Sequence, residues 1–277
     1  MNSHHHDQVR AIHDEFASST DPGLATVRPQ GTTASDLLRI ATSISSRLEL
    51  DESKSLLDVG CGNGMLAMHY LEKSSHYTGL DYSTESLNEF RRRVTQRGFE
   101  HRVSLLGADI AENFDSDIKF DRILAYASFH YAPDDMEAKQ NLRILVNALN
   151  VNGVLLIGSL PLDDLARVID NLRVGSAPVR ILKVMAWLTR TDLAIATPLW
   201  KFICFTHLAS RKVKRLVRPV THSSDMPLNS DVVSLTTTKL LGWLTDINPE
   251  LSVRFVAPCA RAPLALGRAD LVITRVN

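Results

Sequence analysis

The sequence predicts an α/β fold, a mostly parallel sheet with helices on both faces, and three observations predict it. Strand-length and helix-length apolar runs alternate between residues 55 and 157, a rhythm that implies parallel strands joined by crossover helices. Runs such as Val154-Leu155-Leu156-Ile157 are apolar at every position, as strands covered on both faces require. The first strand runs straight into Gly60-Cys61-Gly62-Asn63-Gly64, where alternate glycines let the chain turn sharply and admit a ligand to its backbone.

Each element follows from local pattern. Ala11–Ser18 and Thr33–Leu48 read as helices, parted by the breakers Pro22, Gly23, Pro29 and Gly31. Leu37, Leu38, Ile40, Ala41, Ile44 and Leu48 give the second helix one apolar face. His4, His5 and His6 read as a disordered start without function, as termini commonly are. Strands are expected at Ser55–Val59, Tyr77–Leu80, Val103–Leu106, Phe120–Tyr126 and Val154–Ile157. Helices are expected at Met65–Leu71, at Ser83–Arg97 before Gly98, and at Asp134–Leu149. From Leu162 to Asp225 the pattern is helical and holds no strand. A helix at Thr237–Thr245 and strands at Val253–Ala257 and Leu271–Val276 close the chain. No helix stands between those two strands, so an antiparallel pair is expected. The expected organisation is one domain over 1–277, with an N-terminal helical cap (1–50) and a helical basic insert (162–225).

Bulk composition excludes several classes. At 277 residues, 44% hydrophobic and 22% charged, with 31 Lys+Arg against 31 Asp+Glu, the chain is an ordinary globular protein with no global charge bias toward a partner. Cys61, Cys204 and Cys259 lack metal-ligand spacing and form no disulfide framework. No apolar run is long enough to span a bilayer, and the start lacks the core of a signal peptide, so a cytoplasmic protein is expected.

Three acids mark successive strand ends. Asp81 closes the second strand, where a carboxylate can accept both hydroxyls of a ribose. Asp109 follows the third; it can accept from an adenine amino group while Ile110 packs on the base. Asp58 stands at the end of the first, a place better suited to a cationic ligand than to a phosphate. Taken singly, each also reads as a turn or cap residue.

Leu56-Leu57-Asp58-Val59-Gly60-Cys61-Gly62-Asn63-Gly64, Gly79-Leu80-Asp81-Tyr82-Ser83, Gly107-Ala108-Asp109-Ile110, Phe120-Asp121-Arg122-Ile123 and Asn150-Val151-Asn152-Gly153-Val154-Leu155 resemble the motifs of class I S-adenosylmethionine-dependent methyltransferases of small-molecule type. The resemblance is close from Ser55 to Ser159 and weaker from Thr237 onward. It implies a Rossmann-like sheet of seven strands with an antiparallel last strand, a helical insert after the fifth strand, and S-adenosyl-L-methionine as cofactor. It also implies that Gly60, Cys61, Gly62 and Gly64 back the methionine part and that Asp81 binds ribose. Asp109 and Ile110 would hold adenine, Tyr82 would lie against the adenosine, and backbone near Ala125 would meet the methionine end. Two other readings stay open. Gly62-x-Gly64-x-x-Ala67 fits a dinucleotide fingerprint, so a nicotinamide-dependent oxidoreductase is the rival, although Asp58 sits where a pyrophosphate would approach and no Tyr-x-x-x-Lys pair follows. A non-catalytic S-adenosylmethionine-binding partner protein would need the same residues.

Tyr126-Ala127-Ser128-Phe129-His130-Tyr131-Ala132-Pro133 leaves the fourth strand beside the expected methyl. His130 is the candidate general base, since an imidazole can titrate near working pH; its alternative is a structural imidazole. The Asn/Asp-Pro-Pro-aromatic run of base and glutamine methylation is absent, as are a Pro-Cys nucleophile and the paired acids of a metal-dependent catechol type. Nucleic acid and metal are therefore not expected, and the acceptor is read as a small molecule or a lipid-linked one, methylated on oxygen. Between residues 171 and 220 stand ten Lys/Arg and one acid, Asp192. This basic insert reads as a lid over the acceptor, as a peripheral membrane-surface patch over 178–218, or as a seat for an anionic soluble acceptor.

Overall fold

The computed structural model describes residues 3–20, 32–108, 110, 118–163, 233–259 and 268–276. Seven strands form one sheet: β1 (Ser55–Val59), β2 (His76–Asp81), β3 (Val103–Gly107), β4 (Phe120–Tyr126), β5 (Leu149–Pro161), β6 (Ser252–Val256) and β7 (Arg268–Thr274). Their order is β3-β2-β1-β4-β5-β7-β6. β1 pairs in parallel with β2 and β4, and β7 runs antiparallel to both β5 and β6. The expected antiparallel ending is present. Strand order reverses between β1 and β4, which opens a crevice at the carboxyl ends, where ligands bind in such sheets.

The helices are α1 (Ser3–Phe16), α2 (Ala34–Arg47), α3 (Thr84–Arg97), α4 (Asp135–Asn147) and α5 (Thr237–Ile247). Adjacent strand residues face opposite ways, so the core splits in two. Leu57, Ile123, Leu155 and Ile273 meet Leu142 and Leu145 of α4 and Leu240 and Leu244 of α5. Leu56, Leu124, Leu156 and Val272 meet Ile40, Ala41 and Ile44 of α2 and Phe90 of α3. Each fully buried Leu or Ile side chain contributes about 2 kcal/mol.

Two expectations, on His4–His6 and on Met65–Leu71, are corrected. Within the expected cap over 1–50, the helix Thr33–Leu48 lies on the sheet. Its apolar face is consumed by the sheet, its start is sealed by a Thr33–Asp36 capping box, and its end is pinned where Arg47 pairs with buried Asp270. Asp270 also accepts from the backbone N–H of Ser159 (2.7 Å) and Cys259 (2.8 Å). The covering role falls to α1, which begins at Ser3, so the backbone through His4, His5 and His6 is helical. Met65–Leu71 forms no α-helix but two single 3₁₀ turns, Ala67–His69 and Leu71–Lys73. Tyr70 leaves helical geometry at φ −142° between them, and its hydroxyl reaches back to Asp58.

The basic insert lies outside the described residues, save Leu162 and Asp163. Its flanks meet, since Asp163 N–H donates to Leu235 C=O at 2.8 Å.

Candidate functional site

The loop after β1 is clipped to the end of β2. Gly60 and Cys61 N–H donate to Leu80 C=O at 2.8 and 3.2 Å, and Gly62 N–H donates to Asp81 Oδ2 at 2.8 Å. Asp81 Oδ1 accepts from Ser83 N–H at 2.9 Å. Gly62 and Gly64 both hold positive φ, +55° and +74°, for different reasons. A Cβ at Gly64 would lie 2.2 Å from the Phe90 ring, so this glycine serves α3 packing. A Cβ at Gly62 would meet nothing within 4 Å, so its backbone borders open space.

Two hollows open along the carboxyl edge. The first is lined by Asp81, Tyr82, Ala108, Ile110, Ala125 and Phe129, with Val9 from α1 and Glu137, Asn141 and Leu145 from α4. The second is lined by Asp58, Cys61, Gly62, Asn63, Tyr126 and Ala127, with His13 from α1. Gly60 and Tyr131 border both and mark their junction. β4 runs out into this junction through Ala127, whose φ of +60° is costly for a residue with a Cβ. Ser128 fixes the exit, donating from Oγ to Val59 C=O at 2.7 Å.

Of the expected site residues, Gly60, Asp81, Tyr82, Ile110 and Ala125 come together on the first hollow. Asp58, Cys61 and Gly62 join Gly60 on the second. Ala125 lines the first hollow with Gly60, Asp81, Tyr82 and Ile110, and the next two residues, Tyr126 and Ala127, line the second. Gly64 lines neither hollow, and Asp109 lies outside the described residues. His130 lines neither as well. It sits with Tyr131 in the 3₁₀ turn Phe129–Tyr131, its ring 4.4 Å from the Tyr131 ring and tilted 35° to it. Tyr131 takes the cleft side, and His130 is buried with Nδ1 unpaired. Burial, aided by the charge of Arg268, pushes the His130 imidazole down to about 3.

Sequence reading passed over the groups that complete the site. Tyr70 and Tyr77 both donate their hydroxyls to Asp58 Oδ2 at 2.7 Å. Burial drives the Asp58 carboxyl up to about 6, against the pull of these hydroxyls. A Tyr77→Phe change removes one donor, so the apo protein should lose about 1 kcal/mol at pH 7, the scale of one hydrogen bond; urea unfolding of both proteins checks it. α1 is held over the crevice by Asn63 Nδ2, which donates to Ala17 C=O at 2.9 Å, and by a hydrogen bond from Ser83 Oγ to Asp14. His13 stands edge-on to Tyr82 (6.4 Å) and Tyr131 (6.0 Å). Burial lowers the His13 pKa, while Asp81 and Asp14 oppose the shift. Burial likewise raises Asp81, opposed first by His13 and then by the N–H groups of Ser83 and Gly62. Among the described residues no cluster of His, Cys, Asp or Glu could hold a metal ion.

A family model for a methyltransferase domain matches residues 57–155. Methyltransferase GfsG of Streptomyces halstedii is 33% identical over 133 residues, 46% of this chain and 47% of that protein. N-methyltransferase 4 of Papaver somniferum is 33% identical over 88 residues, 31% of this chain and 24% of that protein. The chain therefore spans about half, or less, of the length of these relatives. Among solved structures, the N-methyltransferase NodS of Bradyrhizobium japonicum WM9, in complex with S-adenosyl-L-homocysteine, superposes with a TM-score of 0.58 at 13% identity, covering 97% of this chain and 98% of that one. That likeness speaks for the fold.

Proposed function

We propose, on the premise that this chain belongs to the class I S-adenosylmethionine-dependent methyltransferases, that it binds S-adenosylmethionine across the two hollows and passes the methyl group to a small-molecule acceptor. The carrying observation is the junction at Gly60 and Tyr131, with a buried acid on either side of it, Asp81 in one hollow and Asp58 in the other.

Adenosine takes the first hollow. The Asp81 carboxylate already accepts from Gly62 and Ser83 N–H, and it has lone pairs left for ribose hydroxyls. Tyr82 and Ile110 flank the base. The methionine part takes the second hollow, along the backbone of Gly60, Cys61 and Gly62. Both tyrosines occupy Oδ2 of Asp58, which leaves Oδ1 to face a cationic group.

When bound, the cofactor supplies a methyl already activated on a sulfonium. The chain's own task is to align the acceptor and exclude water. Tyr126, Tyr131 and α1 wall the junction. For an acceptor that keeps its proton, His13 replaces His130 as the proton acceptor, because it lines the cleft and burial favours its neutral form. A His13→Gln variant with the parent's turnover would remove it from this role. Oxygen is the acceptor atom put first: the ten cations of 171–220 suit a carboxylate or phenolate.

Calorimetry tests the cofactor. S-adenosylhomocysteine should bind in preference to a nicotinamide dinucleotide, and uptake of the dinucleotide alone would overturn the reading. A radiolabelled methyl-transfer screen over carboxylates, phenols and amines then decides the acceptor atom. Tight binding with no transfer to any of them would favour a non-catalytic binding protein.

A further inference from the structure

The first hollow has a polar wall that the reading above leaves idle. α4 sets Glu137, Asn141 and Leu145 along it at four-residue steps, the spacing that keeps side chains on one helix face. The Asn141 Oδ1 atom is shut off from solvent and has no hydrogen-bond partner. A bare buried amide oxygen destabilises the empty fold, more than an idle wall position warrants. The same wall position filled by Leu would carry no such cost. Tyr82 and Ile110 line the hollow as well, and Asp81 stands at its sugar end. A flat heteroaromatic ring carrying an amino group fits this set.

We propose that Asn141 reads the amino-bearing edge of the adenine ring, an inference that rests on the cofactor reading above. A carboxamide offers an acceptor and a donor side by side. Adenine offers an amino N–H beside the ring acceptor N7, and the two pair in bidentate fashion. A half-turn of the terminal amide exchanges Oδ1 and Nδ2, so the side chain can present either atom to the ligand. The adenine amino group has two N–H bonds. Asn141 takes the one beside N7.

The test needs no acceptor substrate. S-adenosylhomocysteine and S-inosylhomocysteine, which carries a carbonyl oxygen in place of the amino group, are titrated by calorimetry into the parent and into Asn141→Ala. The parent should prefer the adenosyl compound. Asn141→Ala should bind it about thirtyfold more weakly, the worth of two neutral hydrogen bonds, and bind the inosyl compound at most about fivefold more weakly, because only the bond to N7 is available there. Asn141→Leu, which keeps the side-chain volume, gives the same comparison if the alanine variant unfolds. An unchanged preference, or an equal loss for both compounds, would overturn the inference and leave Asn141 a packing residue. A parent that takes up neither compound would overturn the cofactor reading itself.

Discussion

Replacing Asp81 with alanine is expected to weaken S-adenosylhomocysteine binding about thirtyfold. A hydrogen bond to a charged group is worth roughly 1.5–3 kcal/mol, and about 2 kcal/mol corresponds to that factor. The side chain does two jobs, and a second variant separates them. Asp81 anchors the glycine loop through Gly62 N–H and the turn into α3 through Ser83 N–H. Alanine leaves both amides without their acceptor, so unfolding free energy should fall together with affinity. Asparagine keeps one oxygen and the shape but removes the charge. It should cost about tenfold in affinity, while the apo protein, freed of a buried carboxylate but with one of the two amides left facing an NH2, should lose less stability than the alanine variant. Calorimetry and urea unfolding on the same three proteins decide between these. Parent affinity in the alanine variant would take Asp81 out of the site.

The sheet was legible in the sequence because each strand ends on a signal. Val154–Ile157 is apolar throughout, and the glycine loop announces the end of β1. The antiparallel ending followed from the missing helix before β7. Local pattern failed where tertiary contacts decide. Met65–Leu71 has helical composition, yet Tyr70 is drawn out of the helix by Asp58. The Thr33–Leu48 stripe shows that the helix packs, not what it packs on. The site was half legible. Asp58, Asp81, Tyr82 and Ile110 stand at strand ends, where topology alone brings them to one rim. His13 comes from a helix far earlier in the chain, and no spacing links it to Tyr82 or Tyr131. His130 and Tyr131 are neighbours in sequence, and only the turn that carries them decides which one meets the cleft.

Cofactor affinity should report the titration of Asp58. Its carboxyl stands at about 6 because burial penalises the charge and Asp81 repels it, with two tyrosine hydroxyls holding it back from rising further. A carboxyl raised on folding binds its proton more tightly in the native state than in the unfolded chain. Stability of the empty protein therefore falls as pH rises from about 4 to about 6, by up to about 3 kcal/mol. A sulfonium or ammonium group beside Oδ1 reverses the preference and selects the ionised form. S-adenosylmethionine affinity should then rise about tenfold between pH 5 and pH 7, as the ionised share of a group at about 6 grows from roughly a tenth to nine tenths. Above pH 7 this contribution should level off. Asp58→Asn keeps an oxygen for Tyr70 and Tyr77 but cannot ionise. It should bind about tenfold more weakly at pH 7 and lose most of the slope, with any residual slope belonging to Asp81 and His13. The same variant should be at least as stable as the parent at pH 7, because the charge it lacks is one the empty fold disfavours. Affinity falling while stability holds is the signature of a group kept for its ligand. A parent whose affinity is flat from pH 5 to pH 7 would show that no cation sits against Asp58, and the methionine end would have to be placed elsewhere along the rim.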